Sequence, residues 1–421
     1  MAGQQSETPQ YATRYDPDAA SEAPVPLPSA PLQSLAEGIT FQPPLSRRGH
    51  GPGLIAFLPP SSSFVGSGGH KHLDPEPVQK WAEEGYGVVG VSGIEPSEQA
   101  ISQALTLALG CLAESSSIDI KDKVGILVYQ ASFLPLLLNL LPSFPTIAAL
   151  ITHGVACSTS PIPAMVHVPK GAQVPAATSS PSTGPRIKVH TYDVTAPHFI
   201  IPSSGKDSFS PSSAAMAHTR SLVFLRSHIG GPFFDIEEIW EEHTFFEFVD
   251  RSVAKTMGTM VAEPYVNHVP TMTGGIGRKA LSVFYRDHFI FSNPAGAELV
   301  TVSRTVGPDR VVDEFVYKCV HDRMIDWLLP GVPPSGRQLE IPMIAVVNVR
   351  GDRLYHEHIW WDQATALQQA GHLPTYVPFG DDGGTKLRLP TDGYASARLL
   401  LDETDGQSNL MFGSSWGVQP A

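Results

Sequence analysis

The order of hydrophobic segments predicts two folds in succession, a parallel α/β sheet domain and then an α+β domain in which three helices precede a strand meander. Short, unbroken apolar runs alternate with segments of helical period through the first half, as in strand–helix–strand units. The step Gly230-Gly231-Pro232 then interrupts the chain with residues that do not continue a helix. Beyond it, helical period gives way to strict alternation.

Residues 1–48, rich in Pro, Ser, Gln and Ala without sustained period, are expected to be a disordered lead-in, with order starting near Gly53. Residues 53–58 form an apolar run stopped by Pro59 and Pro60, the pattern of a buried strand. A helix follows at 75–84, a strand at 87–91, a helix at 97–114 with Ile101, Leu105, Leu109 and Leu112 on one side, and a strand at 124–128. A helix at 133–141 and a strand at 147–151 extend the sheet. After a Pro/Ser-rich stretch from 158 to 185, a strand at 187–191 and a helix at 211–228 close the domain, 49–230.

The second domain is expected over 234–380. Asp235 opens a helix with Ile236, Ile239, Trp240, His243 and Phe246 along one side, and helices are expected at 252–263 and 276–289. Strands at 297–306, 310–321, 338–350 and 353–362 complete the α+β pattern. Residues 381–421 show no clear period and are expected to be an extended or disordered tail.

Totals narrow the function classes. A chain of 421 residues exceeds one ordinary core. Its net charge of −13 argues against nucleic acid or an anionic membrane as partner. Cys111, Cys157 and Cys319 are too scattered for a disulfide framework or a metal motif, and no run approaches a membrane span, so a soluble, cytoplasmic protein is expected.

Residues two apart in a strand share a face, so the segment 311–321 sets Asp313, Phe315, Tyr317, Cys319 and His321 on one side. This face reads equally as a pocket wall or as packing around a satisfied aspartate. The segment 354–362 sets His356, His358, Trp360 and Asp362 on one side and Tyr355, Glu357, Ile359 and Trp361 on the other. Two imidazoles at that spacing lack a recognisable third ligand, so no metal and no cofactor is expected. Acid/base work suits the group better: a carboxylate or imidazole in an apolar cavity shifts its pKa towards neutrality and can take a proton beside a carbonyl.

In the first half, the turn after 124–128 reads Val128-Tyr129-Gln130-Ala131-Ser132, with Gln130 where a hydrolase would carry its nucleophile and no flanking glycines. The segment Thr191-Tyr192-Asp193-Val194-Thr195-Ala196-Pro197-His198-Phe199, with the strand order, resembles the dienelactone hydrolase (carboxymethylenebutenolidase) family. That resemblance implies an α/β-hydrolase-like domain with His198 at the triad position. Gln130 and Ser132 make it a degenerate site, although Ser132 remains an alternative nucleophile. His70 and His72, near Gly68 and Gly69, are weakly like an oxyanion loop.

The second half carries the stronger resemblance. Asn267-His268-Val269-Pro270-Thr271-Met272-Thr273-Gly274-Gly275-Ile276-Gly277, Thr305-Val306-Gly307-Pro308-Asp309-Arg310-Val311-Val312-Asp313-Glu314, Ile325-Asp326-Trp327-Leu328-Leu329-Pro330-Gly331-Val332-Pro333-Pro334 and His356-Glu357-His358-Ile359-Trp360-Trp361-Asp362-Gln363-Ala364 are similar to the SnoaL-like branch of the NTF2-like superfamily. The resemblance implies a cone-shaped fold and a cyclase, isomerase or dehydratase acting on a polyketide-like or lactone-like carbonyl compound. Its polar groups would fall at His358 and His268 as acid and base, with Asp313 or Asp326 orienting a histidine or serving as base, and His356, Glu357 and Asp362 nearby. Tyr265, Tyr317, Trp327, Trp360 and Trp361 would shape the pocket, and a homodimer through the sheet is a further implication. A hydrolase of the dienelactone type and a non-catalytic ligand-binding or dimerisation protein stay open as alternatives.

Overall fold

In the computed structural model, residues 14–60, 72–172, 187–381, 383–391 and 393–421 are described. The chain forms two compact units: unit 1 comprises the N-terminal segment to Pro26, Ile236–Val349 and Leu354–Ala421, and unit 2 comprises Leu27–Asp235 with Arg350–Arg353. No helix among the described residues is long and apolar enough to cross a membrane.

Unit 2 is built on one eight-stranded mixed sheet. Its strands are β1 (Gln33–Ala36), β2 (Ile39–Gln42), β3 (Gly53–Phe57), β4 (Gly87–Val91), β5 (Val124–Val128), β6 (Ile147–His153), β7 (Ala164–Pro169) and β8 (Ile187–Tyr192), in the order β1-β2-β4-β3-β5-β6-β7-β8. From β4 to β8 every pairing is parallel, while β1 and β2 add an antiparallel hairpin at the β4 edge. The three strands β3, β4 and β5 are buried at every position, which explains their unbroken apolar sequence: both sheet faces are covered. Alternate residues serve two cores, Ile55, Phe57, Val89 and Ile126 on one face and Leu54, Ala56, Val88 and Leu127 on the other.

Helices α1 (Pro77–Glu83), α2 (Glu98–Glu114), α3 (Leu134–Leu140) and α4 (Pro211–Ile229) lie at the expected places. Gly125 has a positional reason, since a Cβ there would stand 2.7 Å from Leu54 and 2.8 Å from Leu225. α4 ends at Gly230 in the left-handed conformation, φ 89°.

Two expectations for this part of the chain need correction. Residues 33–42 are not a disordered lead-in: β1 and β2 pair with each other and β2 pairs with β4, burying Ile39 and Phe41. β7, Ala164–Pro169, lies within the Pro/Ser-rich stretch read as a loop; its six residues are all buried, a run too short to stand out among the flanking prolines and serines.

Unit 1 pairs helices with a six-stranded mixed sheet. α5 (Ile236–Phe248), α6 (Val253–Gly258) and α7 (Arg278–Phe284) accompany β9 (Met260–His268), β10 (Thr273–Ile276), β11 (Glu298–Val306), β12 (Arg310–Val320), β13 (Gln338–Arg350) and β14 (Arg353–Trp361), in the order β10-β9-β14-β13-β12-β11. β9 runs parallel to β14 and antiparallel to β10. The last four strands fall where alternation placed them. The helix expected over 252–263 instead stops at Gly258, and its second half is β9, where Val261, Tyr265 and Val266 favour a strand and Pro264 has no N–H for a helix. The helix expected over 276–289 begins at Arg278 and opens into a wider π turn at Tyr285–Phe289.

Ser252 caps α6 through Lys255 N, and Glu22 accepts from Val253 N at 2.9 Å and Ala254 N at 3.0 Å, so residues before Pro26 belong to this unit physically. The segment 381–421 is likewise structured, correcting the expected loose tail. β15 (Tyr376–Phe379), β16 (Thr385–Arg388) and β17 (Gly417–Pro420) form a small antiparallel sheet, with α8 (Gln363–Ala370) before it, α9 (Ala395–Leu401) inside it, and the Arg388 guanidinium 3.8 Å over the Trp416 ring.

Gly274, at φ 134°, lies in β10, and a Cβ there would meet the Val266 carbonyl oxygen at 2.1 Å. Gly274→Ala is therefore expected to destabilise unit 1 by about 2–3 kcal/mol, read as a shift of the urea midpoint; an unshifted midpoint would show that the hairpin tolerates the methyl group.

Candidate functional site

Three elements of unit 1 bring ionisable side chains to one buried point. On α5, His243 and Glu247 are one turn apart and so share a face, the same face that buries Ile236, Ile239 and Trp240. In the second half of β14 the buried residues are Glu357, Ile359 and Trp361. The π turn after α7 supplies Tyr285 at its first residue. His243 Nε2 stands 3.1 Å from Glu247 Oε1, 3.1 Å from Glu357 Oε1 and 3.2 Å from the Tyr285 hydroxyl, which itself donates to Glu357 Oε1 at 3.2 Å.

Hydrogen-bond accounting settles the imidazole's protons. The Thr259 hydroxyl donates to the Thr256 carbonyl at 2.7 Å, so it can only accept from His243 Nδ1, 2.6 Å away. Nε2 faces acceptors and carries the second proton, making the ring an imidazolium. Burial alone would lower its pKa, but the Glu247 and Glu357 carboxylates outweigh that and raise it to about 10. Burial pushes the Glu247 carboxyl upward, the neighbouring Glu357 charge adds to this, and the imidazolium opposes both. Two carboxylates beside one imidazolium leave one excess negative charge at this buried point. The three ligand-type atoms lie within 4.8 Å of one another, a spacing that a metal ion could also bridge.

Glu247 also lines a narrow cavity of about 30 Å³, with Thr244 on the same helix, His268 on β9, Phe315 and Tyr317 on β12, and Trp327. The wall is mostly ring surface: His268 sits among Phe284, Phe289, Trp327 and Trp361 at centroid distances of 5.0–5.8 Å. Burial lowers the His268 pKa to about 3, against a smaller opposing effect of the Thr273 backbone, so the ring is neutral. Its Nδ1 faces Thr273 Oγ1 at 3.2 Å, while Nε2 is buried without a hydrogen-bonding partner among the described residues.

The structure separates the other expected residues. His268 and Glu357 lie on the inner side of the sheet. His358 and His356 lie on the opposite side of β14, stacked on each other at 4.6 Å, with His358 edge-on to Tyr265 and to the exposed Trp360. The reason is register: beyond the irregularity at Leu354–His356, β14 buries its odd-numbered residues, and the parallel pairing of Ile359 with His268 and His358 with Asn267 carries the choice across to β9. Asp313 faces inward but is occupied, accepting from Trp240 Nε1 at 2.9 Å and from the Arg304 guanidinium at 3.0 Å. Asp326 lies away from this point, 3.2 Å from the exposed His288. Asp362 caps α8 by accepting from Ala364 N and Thr365 N. Tyr317 and Trp327 converge on Asn293 Oδ1 at 2.8 and 3.1 Å, and Trp361 donates to Gln363.

His243, Glu247 and Tyr285 escaped the sequence reading. The legible signal was a His and a Glu four apart on the apolar face of α5, where two polar groups in a core stripe need each other. Tyr285 left no such trace, because the π turn that aims it has no clear sequence signature.

In unit 2, Gln130 follows β5 in extended conformation, φ −113° and ψ 118°, not in the strained turn of a nucleophile elbow. Its amide donates to the exposed Ser132 hydroxyl at 3.3 Å. His198 is half-buried in the segment after β8, and burial lowers its pKa. His72 packs edge-on against Phe209, while His70, Gly68 and Gly69 lie outside the described residues. The buried polar groups of this unit include His153, stacked on Tyr129 at 4.4 Å, His167, held between the Tyr192 and Ser221 hydroxyls at 2.8 and 2.9 Å, and His218, 2.7 Å from the Glu84 carboxylate.

The imidazolium makes stability pH-dependent with a definite sign. A pKa raised from 6.5 to about 10 in the folded chain contributes stability that is complete below pH 6.5 and is lost as pH climbs through 10. The raised Glu247 carboxyl acts in the same direction. Thermal melts are expected to show a falling midpoint across that window and a flatter fall in His243→Gln. His243→Ala, which leaves two carboxylates without their counter-ion, is expected to cost about 3–5 kcal/mol.

No protein-family model matches the chain, and no curated protein matches it. Among solved structures, it is similar to a protein described as a SnoaL-like polyketide cyclase from Jannaschia sp. CCS1, at 18% identity over 34% of this chain and 100% of that one, TM-score 0.28. It is similar also to a protein with a ketosteroid isomerase-like fold from Catenulispora acidiphila, solved with trimethylamine, at 15% identity over 32% and 94%, TM-score 0.25. A third is an epoxide hydrolase/cyclase-like enzyme with a role in pyran ring formation in the polyether salinomycin, at 11% identity over 30% and 89%, TM-score 0.23.

Proposed function

We propose that this chain is an acid/base enzyme of the cyclase, isomerase or dehydratase kind, which moves a proton on a carbonyl compound at the unit 1 cavity. The observation that carries this reading is the carboxylate of Glu247, which reaches the cavity at one end while belonging to a buried network that can absorb a proton. A carboxyl whose pKa is pushed up is a stronger base than one in water, and taking a proton from carbon beside a carbonyl needs that strength. His243 holds the charge on Glu247 and Glu357, and Tyr285 supplies a phenol proton to the pair. The ring-lined wall makes the surroundings of Glu247 apolar, which keeps its carboxyl raised.

The sequence resemblance to SnoaL-like proteins supports the same reading, with the base on α5 in place of the β14 histidines. For unit 2 the hydrolase reading draws support from strand order alone, and Gln130 offers no nucleophile; we assign this unit a supporting part.

The test is deuterium uptake beside the carbonyl of a simple hydroxyketone, diacetone alcohol, in deuterium oxide. Glu247→Gln is expected to slow enzyme-dependent exchange by about 10²–10⁴-fold. His358→Ala, altered on the outer side of the sheet, should retain wild-type exchange. Equal exchange in wild type and Glu247→Gln would remove the proposed base, and loss with His358→Ala would return the chemistry to the other face.

A further inference from the structure

The C-terminal part of unit 1 surrounds a second, larger space. Gln368 of α8, Arg388 at the end of β16, Thr391, α9 and the turn Leu410–Phe412 line an open cavity of about 1140 Å³, which shares no residue with the cavity of Glu247. Three buried atoms of its wall, Gln368 Oε1, Arg388 Nε and Thr391 Oγ1, have no hydrogen-bonding partner among the described residues. Buried polar groups left unpaired cost free energy, so three of them at one cavity mark a place that a ligand completes. Arg388 also lacks a counter-ion. Its Nη1 donates to the Ser415 carbonyl at 3.3 Å and its plane lies 3.8 Å over the Trp416 ring, but no carboxylate among the described residues pairs with it. Stacking holds the guanidinium flat and leaves the Nε–H unused. The rest of the wall is apolar, with Leu399, Leu400 and Met411, and two further apolar side chains stand open to water, Leu410 at 56% and Phe412 at 87% exposure.

We infer that this cavity binds an aliphatic carboxylate, with Arg388 taking the charged end and the leucines, Met411 and Phe412 taking the chain. The site stands apart from the acid/base reading and does not depend on it. One unpaired guanidinium on an otherwise apolar wall selects a molecule that is anionic at one end only. A carboxylate offers two coplanar oxygens, which match the parallel N–H groups along one edge of a guanidinium. The Thr391 hydroxyl can donate to the same group, and the Gln368 amide can turn to present either its oxygen or its nitrogen. Leucine and methionine side chains adapt their rotamers to a bending chain. Room is ample: if each heavy atom takes about the share of a water molecule, roughly 30 Å³, a ten-carbon acid needs roughly 350 Å³. Binding would cover Leu410 and Phe412, which the chain by itself leaves to water.

The probe is decanoate, with decanol as the same chain without the charge, each titrated into the full chain by calorimetry. Wild-type protein is expected to bind one decanoate per chain, at least about tenfold more tightly than decanol, the share that a hydrogen-bonded charge supplies. Arg388→Gln should bring decanoate to the level of decanol and leave decanol unchanged. A misfolded variant would lose both ligands together, so the split isolates the guanidinium. Leu410→Asp, at a side chain already open to water, should weaken both ligands severalfold without moving the thermal midpoint. Absence of decanoate binding in wild type, equal binding of decanoate and decanol, or wild-type affinity for decanoate in Arg388→Gln would each overturn the inference. So would dimers in sedimentation that Leu410→Asp dissolves while neither form binds decanoate, which would make the apolar rim an interface between copies. Deuterium exchange is expected to be the same in wild type and Arg388→Gln, so a failure here leaves the acid/base reading standing.

Discussion

One imidazolium, buried between two carboxylates, sets the terms for the rest of unit 1. His243 cannot lose its proton without leaving two negative charges in a space sealed from water, and the carboxylates cannot lose the imidazolium at any smaller cost. The elements that meet there, α5, β14, the π turn after α7 and the threonine before β9, are consequently fixed relative to one another by charge as well as by packing. This also accounts for the early end of α6. Thr259 must leave the helix with its hydroxyl on Thr256 and its remaining lone pair towards His243, and the chain turns into β9 at that point.

The same arrangement separates two uses of charged residues on a single fold. Asp313 and Arg304 form a pair whose oxygen atoms are fully engaged, including the bond from Trp240, so they serve cohesion. Glu247 keeps one side on the network and one on the cavity. A strongly held group is poorly placed to exchange protons, and a group open to water loses the shift that makes it basic; Glu247 lies between those limits.

Unit 2 is a sheet whose strands ask little of the residues at their ends. Its central parallel strands are buried on both faces and require only apolar residues of suitable size, so the fold is insensitive to the identity of the residue after β5. Gln130 stands there in relaxed, extended backbone, and of the interior histidines His167 is tied to Tyr192 and Ser221, His153 is stacked in the core and His218 is paired with Glu84.

Much of the architecture was legible because hydrophobic period and strand burial report the same physical fact. Apolar runs at 53–58, 87–91 and 124–128 mark doubly buried strands, and alternation over 310–321 and 338–350 marks strands with one buried face. The sequence by itself also placed His268, Glu357, Asp313 and the tryptophans in the second half. It did not separate Glu357 from His358, because alternation defines two faces without saying which is inward; that choice came from pairing β14 with β9, a contact between residues about ninety positions apart. Nor did it assemble His243, Glu247, Glu357 and Tyr285, which lie on three elements and become a single acid/base group only when burial removes water from between them.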